Sequence, residues 1–150
     1  MSATADLKAP ATGGQLATFW LDGDLYGVEV EHVQEVLRSQ KLTRVPLAPT
    51  AVAGLINLRG QVVTAIELRE RLGRKPRPEG TDAVVIVVRL HGEAVSLLVD
   101  SIADVVDVDA TDFETPPDTL DGKARELIRG AYKLSGQLLL ALDVQKAVSA

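Results

Sequence analysis

Two histidines are the side chains of this sequence best suited to proton transfer near neutral pH. His32 and His91 are the only histidines, and an unperturbed imidazole titrates close to neutrality. Neither belongs to a catalytic motif, because the sequence contains no Gly-x-Ser-x-Gly elbow, no His-Glu-x-x-His helix, no Gly-x-Gly-x-x-Gly loop and no Walker-type lysine loop. We therefore interpret both histidines as surface residues and expect no enzymatic activity.

Two groups of charged residues could bind ions or nucleic acid. The acidic group is Asp100, Asp104, Asp107, Asp109, Asp112 and Glu114. It lacks the alternating ligand spacing, central glycine and closing glutamate of a calcium loop. The basic group is Arg74, Lys75 and Arg77, and it has no interleaved aromatic residue on which a base could stack. We interpret both groups as solvated charge and predict no metal and no cofactor.

Composition excludes several further classes of function. The chain has 150 residues with 46% apolar and only 3% aromatic residues, so its core must consist of aliphatic side chains. It contains no cysteine, which excludes disulfides and thiolate chemistry. A formal net charge of −5 argues against a nucleic-acid partner. With no leader-like or long apolar segment, a cytoplasmic protein that does not insert into membranes is expected.

An internal repeat organises the sequence. Residues 21–36 align without gaps with residues 90–105, and residues 58–67 align with residues 134–143. Self-similarity of this kind indicates duplicated structural units. We predict a mobile tail over residues 1–14, a first repeat over about 15–73, a linker over about 74–82 and a second repeat over about 83–150. Exchange of strands between the two units is left open.

Local patterns predict mostly strands joined by tight turns. Hairpins are expected around four turns, which are Asp22-Gly23, Arg59-Gly60, His91-Gly92 and Ser135-Gly136. Apolar residues spaced three to four apart predict a short amphipathic helix over residues 30–37. Short helices are also expected over residues 67–72 and after Asp143, which can act as an N-cap. The spacing over residues 99–108 does not separate helix from strand.

The first repeat places several residues where a partner protein could contact them. Arg59 follows Asn57 at the tip of a predicted hairpin, where its guanidinium would project into solvent. A local hydrogen bond within the turn is an equally good interpretation. Val33 and Val36 lie beside Glu35 on the predicted helix, which is too short to bury a broad apolar stripe. One of the two valines is therefore expected to remain exposed.

Several of these segments resemble the CheW family of bacterial chemotaxis coupling proteins. The resemblance rests on residues 26–36, on Arg44-Val45-Pro46 and on residues 52–60, which include Asn57-Leu58-Arg59-Gly60. It continues through residues 66–69, 84–88 and 99–102, the Pro116-Pro117 loop and Gly130. It covers about residues 15–148.

The resemblance implies a fold, a function and partners. The fold would be all-β with short helices, in which two tandem five-stranded SH3-like β-barrel subdomains are related by internal duplication. The function would be that of a non-catalytic adaptor, which couples the cytoplasmic tips of methyl-accepting chemoreceptors to the regulatory domain of the histidine kinase CheA. The protein would be cytoplasmic and recruited to receptor arrays at the inner membrane.

The resemblance also assigns partner-binding residues. Val30 and Val33 would anchor a partner, with Val36 beside them. Glu35 and Arg59 would orient it at a charged rim, and Asn57 belongs to the same hairpin motif. Val105 and Val108 would line a receptor-facing groove between the barrels.

Two other interpretations remain open at this stage. One is an adaptor of the same kind in a chemosensory system that controls pili, development or a second messenger. The other is an SH3-like barrel that binds a small molecule or RNA through its loops. The acidic composition and the scarcity of aromatic residues disfavour RNA.

Overall fold

A computed structural model describes residues 14–38, 40–120 and 122–149. The strands are β1 (Gly14–Leu21), β2 (Asp24–Glu29), β3 (Val33–Leu37), β4 (Val52–Leu58), β5 (Gln61–Glu67), β6 (Val84–Leu90), β7 (Glu93–Val99), β8 (Ser101–Val108), β9 (Phe113–Glu114), β10 (Ile128–Leu134) and β11 (Gln137–Leu142). The helices are α1 (Leu68–Arg71), α2 (Gly122–Leu127) and α3 (Val144–Val148), and 3-10 turns span Val30–His32 and Ala110–Asp112. The predicted tail over residues 1–14 lies outside the described residues except for Gly14, which begins β1.

The strands form two sheets with equivalent strand orders. One sheet runs β8-β1-β2-β11-β10-β9, and the other runs β3-β6-β7-β5-β4. The repeat alignment pairs β1, β2 and β3 with β6, β7 and β8, and it pairs β4 and β5 with β10 and β11. Under that pairing the two sheets have the same order. An isolated bridge between Thr43 and Leu55 stands where the second half has β9. The fold class is confirmed as mostly β, although one sheet has six strands instead of five.

Each sheet contains strands from both halves of the chain. The six-stranded sheet takes β1 and β2 from the first half and β8 to β11 from the second, and the five-stranded sheet reverses this contribution. The two parallel pairings, β2 with β11 and β5 with β7, both join strands of different halves. Neither half can therefore complete a sheet by itself.

Equivalent glycines mark the same irregularity in both sheets. The register shifts next to Gly54 in β4 and next to Gly130 in β10. A Cβ added to Gly54 would lie 2.6 Å from the carbonyl oxygen of Thr43, and one added to Gly130 would lie 2.5 Å from that of Glu114. Only glycine permits so close a backbone approach. The duplication therefore extends to the detailed geometry of each sheet.

All four predicted hairpins are confirmed, each with a two-residue turn. In three of the turns the first residue has a positive φ: 49° at Asp22, 51° at Arg59 and 50° at His91. The glycine that follows each of them also has a positive φ. Two successive positive φ values define the type I′ turn, whose twist matches that of paired strands.

Aliphatic side chains form three apolar clusters. The largest contains residues from both sheets and from all three helices, so it joins the sheets to each other. Phe19 and Tyr26 stack within it, with ring centroids 5.9 Å apart. A second cluster lies within the six-stranded sheet around Leu139 and Tyr132, and a third lies within the five-stranded sheet around Ile56 and Val87. Each sheet therefore has its own core as well as a share in the common one.

The predicted helix over residues 30–37 is wrong. The segment is a 3-10 turn, Val30–His32, followed by strand β3, Val33–Leu37. A register shift between Val33 and Glu35 interrupts the pairing of β3 with β6. Such a bulge inserts an extra residue into a strand and interrupts its two-residue alternation. This interruption gave the apolar residues the three-to-four spacing that is typical of a helix. Residues 101–108, left undecided by the sequence, form strand β8.

The two arginines of the basic group are not solvated as predicted, whereas Lys75 is exposed. The Arg77 side chain is only 10% exposed, and its guanidinium lies 3.0 Å from Asp100 and 2.9 Å from Glu67. Arg74 pairs with Asp22 at 3.1 Å and with Asp24 at 2.9 Å. These arginines attach the connection between β5 and β6 to the body of the fold.

Asp100 is the centre of this ion network, which corrects its assignment to a solvated acidic edge. Its carboxylate accepts hydrogen bonds from Arg69 at 2.6 and 3.0 Å, from Arg77 at 3.0 Å and from the backbone N–H of Asp22 at 2.8 Å. Partial burial raises the pKa of Asp100, but the hydrogen bonds and the guanidinium charges outweigh it and lower the pKa overall. The network joins the β1–β2 turn, α1 and the β7–β8 junction.

Candidate partner-binding surface

A bidentate ion pair joins Glu35 and Arg59. Arg59 Nη1 lies 2.6 Å from Glu35 Oε2, and Nη2 lies 2.8 Å from Oε1. Glu35 lies on β3 and Arg59 at the tip of the β4–β5 hairpin, so the pair connects opposite ends of the five-stranded sheet. The hydrogen bonds and charge of Arg59 lower the pKa of Glu35. The pair therefore brings the two ends of the sheet together.

The turn that carries Arg59 is held by Asn57. Asn57 Oδ1 accepts a hydrogen bond from the backbone N–H of Gly60 at 2.9 Å. This contact fixes the turn in the conformation that directs the Arg59 side chain toward β3. The Arg59 side chain is still 74% exposed, whereas that of Glu35 is 19% exposed. The guanidinium is paired with Glu35 on another strand, and not within its own turn as the local interpretation expected, while it remains accessible to solvent.

Exposed valines lie near this ion pair. Val36 on β3 is 44% exposed, and Val62 on β5 is 62% exposed. Val33 is half-buried and packs against the largest apolar cluster, while Val30 is half-buried in the 3-10 turn. Val36 is therefore the valine of this segment that remains exposed. The sequence did not identify Val62 as a candidate partner-binding residue, because an apolar residue in a strand is normally assigned to a core.

The six-stranded sheet exposes apolar residues on its edge strand β8. Val105 is 57% exposed and Ile102 is 40% exposed. Val108 is only 8% exposed and packs with Leu16 and Tyr132 in the second apolar cluster. Val108 therefore offers little surface for the predicted groove contact, because its side chain packs into the second apolar cluster.

A surface groove brings the two edge strands together. It has a volume of about 580 Å³ and is lined by Val36, Leu37, Arg38, Asp82, Ala83, Val84 and Ile102. Val36 comes from the five-stranded sheet and Ile102 from the six-stranded sheet. The groove therefore lies between the sheets, and its lining combines aliphatic side chains with the charged residues Arg38 and Asp82. The repeat alignment could have identified Ile102 as a candidate partner-binding residue, because it pairs Ile102 with Val33, which was one of the predicted site residues.

The repeat alignment also relates the exposed residues to one another. Val36 aligns with Val105, and Val62 aligns with Leu138. Leu138 is 37% exposed. Both sheets therefore display an exposed apolar residue on an edge strand and another on the equivalent strand of a hairpin. An apolar patch with a charged rim is a typical composition for a protein-binding surface.

Comparisons with known proteins agree with this architecture. The CheW-like domain family matches residues 15–150. The chain is 33% identical to the chemotaxis protein CheW of Bacillus subtilis, over 93% of this chain and 88% of that protein. It is 30% identical to CheW of Treponema pallidum, over 90% of this chain and 82% of that protein.

A solved structure shares the fold of this chain. The scaffolding protein TtCheW from Thermoanaerobacter tengcongensis superposes with a TM-score of 0.77 at 28% identity, covering 87% of this chain and 89% of that one. Among the described residues, no helix has the length and apolar character needed to cross a bilayer. The sequence match, the relatives and the shared fold together establish that this chain belongs to the CheW family of chemotaxis scaffold and adaptor proteins.

Proposed function

We propose that this protein couples chemoreceptor tips to a CheA-type histidine kinase. The observation that carries the proposal is the accessible Glu35–Arg59 pair with Val36 and Val62 exposed nearby. A charged rim fixes orientation, and a desolvated apolar centre supplies most of the binding free energy. Membership of the CheW family supports the regulatory domain of the kinase and the cytoplasmic receptor tip as the proposed partners.

The two partners would use different surfaces. Glu35, Arg59 and the exposed Val62 would contact the kinase domain, with Asn57 holding the hairpin in position, whereas Val36 would belong to the groove. Val30 and Val33 would support this surface from beneath, because both are half-buried. The groove between the sheets, together with Val105 on β8, would receive the receptor tip. Separate surfaces allow both partners to bind at once, which an adaptor requires.

The proposed mechanism involves no catalysis and no cofactor. A protein without an active site changes a partner's activity only by binding two of its states unequally. The adaptor would therefore stabilise the arrangement of kinase and receptor in which the kinase is active. Repeated contacts within an array raise the effective concentration for each further contact, so each pairwise affinity can be modest. The protein would act in the cytoplasm, recruited to receptor arrays at the inner membrane.

The test is a titration of the full chain against a CheA regulatory domain and a receptor-tip fragment, followed by kinase assays of the reconstituted mixture. Arg59→Ala is expected to weaken kinase-domain binding at least about tenfold, because arginine is among the residue types whose loss from an interface costs most, and the change also breaks the ion pair with Glu35. Arg125→Ala is the matched control, because Arg125 is an exposed arginine on α2 whose ion pair with Asp118, within the described part of the chain, is long at 3.9 Å.

The outcomes separate the proposal from its alternatives. Kinase activity should rise only when all three components are present, and the rise should be smaller with Arg59→Ala than with Arg125→Ala. Binding of the folded wild-type chain to neither partner would refute the coupling role. Equal binding by the two variants would refute the assignment of the kinase surface to the Glu35–Arg59 pair.

A further inference from the structure

A second polar region lies where the chain crosses from one sheet to the other. The 3-10 turn Val30–His32 connects β2 of the six-stranded sheet to β3 of the five-stranded sheet. A cavity of about 370 Å³ lies beside this turn, and His32, His91, Glu29 and Asp143 are among its lining residues. Both histidines of the chain, which come from different halves, therefore meet at one cavity.

Three potential metal ligands are already close together at this turn. One ligand atom from each of Glu29, Glu31 and His32 lies within 4.8 Å of the others. In a tetrahedral zinc site with bonds of about 2.0–2.2 Å, neighbouring ligand atoms are about 3.3–3.5 Å apart. The three groups would need to approach by roughly 1.5 Å. Glu31 is exposed and His32 is half-buried, so their side chains have room for that adjustment.

The arrangement around Glu29 matches that of a supported ligand. Arg129 Nη1 donates a hydrogen bond to Glu29 Oε1 at 3.0 Å. A carboxylate has two oxygens, so this contact can orient the group while it also binds a cation. Ligating carboxylates in metal sites usually receive such an outer hydrogen bond. The backbone N–H of Val33 donates to the carbonyl of Val30 and closes the turn that carries the other two ligands.

We propose that this turn binds one divalent transition-metal ion, with Zn²⁺ as the reference ion. Glu29, Glu31 and His32 are the first three ligands, and His91 from the β6–β7 turn is the fourth. Two imidazoles and two carboxylates form a donor set suited to zinc. Ca²⁺ and Mg²⁺ are disfavoured because they depend on about six or more oxygen ligands, which this donor set does not supply.

A metal at this position would stabilise the crossing between the sheets. His91 belongs to the turn of a hairpin in the five-stranded sheet, whereas Glu29 ends a strand of the six-stranded sheet. An ion bound to both would hold the two sheets in a fixed relation immediately before β3. This inference is independent of the proposed function, because metal binding can be measured without kinase or receptor.

The experiment is an isothermal titration of the tag-free full chain with zinc chloride in a non-chelating buffer at neutral pH, alongside titrations with calcium and magnesium chloride. Saturable binding of one equivalent of zinc is expected, with neither of the other ions binding at the same concentration. Imidazole resonances of both histidines should shift in long-range proton–nitrogen spectra when zinc is added. Circular dichroism confirms that each variant is folded.

Matched variants test the individual ligands. Glu31→Gln, His32→Gln and His91→Gln should each weaken zinc binding at least about tenfold, since loss of even an outer partner typically costs ten- to a hundredfold. Glu79→Gln, the same change at an exposed residue elsewhere, should bind zinc like the wild type. Absence of one-equivalent binding, or wild-type affinity in His32→Gln or Glu31→Gln, would overturn the site. Wild-type affinity in His91→Gln would overturn the assignment of the fourth ligand.

Discussion

Replacing Asp100 by asparagine tests whether the ion network holds the fold together. The substitution preserves size but removes the negative charge that Arg69 and Arg77 share. It also replaces one acceptor oxygen by an NH₂ group, which would face an N–H donor whichever way the amide is turned. The variant therefore loses charge-assisted hydrogen bonds and gains a donor–donor contact.

The expected loss of stability follows from the geometry. Asp100 accepts three hydrogen bonds from guanidinium groups and one from the Asp22 backbone. A hydrogen bond to a charged group contributes about 1.5–3 kcal/mol, and breaking a fully buried ion pair costs about 3–5 kcal/mol. The Asp100 side chain is 23% exposed, so water compensates part of the loss. We expect the free energy of unfolding to fall by about 2–4 kcal/mol.

The same network predicts how the difference depends on pH. The pKa of Asp100 in the folded protein is lowered from its ordinary value of 3.8. A lowered folded-state pKa means that the ionised carboxylate stabilises the fold above the unfolded-state pKa. This contribution is lost as pH falls through the lowered folded-state value. The stability difference between wild type and Asp100→Asn should therefore be full near neutral pH and shrink below about pH 4.

The assay is urea unfolding of both proteins, followed by circular dichroism at several pH values. Asp107→Asn is the matched control, because Asp107 is an exposed residue of β8 for which the described structure gives no ion pair. It should change stability by no more than about 0.5 kcal/mol. Equal effects of the two substitutions, or a difference that does not shrink in acid, would refute the structural role of the network.

Two further predictions concern the backbone and the core. Gly130→Ala should destabilise the protein by about 1–3 kcal/mol, because the new Cβ would lie 2.5 Å from the Glu114 carbonyl oxygen. Gly122→Ala is the control: a Cβ at that position has no neighbour within 4 Å, so the stability measured by urea unfolding should be unchanged or slightly raised. Tyr26→Phe should stabilise the protein by about 1 kcal/mol, because among the described residues the buried Tyr26 hydroxyl has no hydrogen-bond partner. Burial raises the pKa of Tyr26 to about 12, so an absorbance titration of Tyr26→Phe should lack the ionisation step that the wild type shows near that pH. A Tyr26→Phe protein less stable than the wild type would contradict the conclusion that the hydroxyl has no partner.

The sequence predicts those parts of the fold that depend on nearby residues. The four hairpins follow from two-residue turns ending in glycine, and the last helix begins after Asp143, whose side chain accepts a hydrogen bond from the Lys146 backbone as predicted. The internal repeat predicts the duplicated sheet architecture, because both halves of the chain keep the same order of apolar segments and turns. Each of these features is specified within a few neighbouring residues or by direct self-comparison.

The features that the sequence does not predict depend on contacts between distant segments. The bulge in β3 gives a strand the spacing of a helix, and only its pairing with β6 distinguishes the two. The sequence around Arg77 is typical of a linker, and only the folded structure shows that Arg77 pairs with the distant Asp100. Val108 lies on the same strand as the exposed Val105, and the pairing of β8 with β1 determines which side chains turn inward.

The two sheets are equivalent in architecture but differ in surface chemistry. Val36 aligns with Val105, and both are exposed. Glu35 aligns with Asp104 and Arg59 with Ser135, so the second half lacks the cation that would form the corresponding ion pair. Duplication thus supplies two similarly placed apolar patches, and substitution at the rim makes them different. Because charged groups at a rim determine which partner can dock, this asymmetry would allow the two patches to distinguish the two proposed partners.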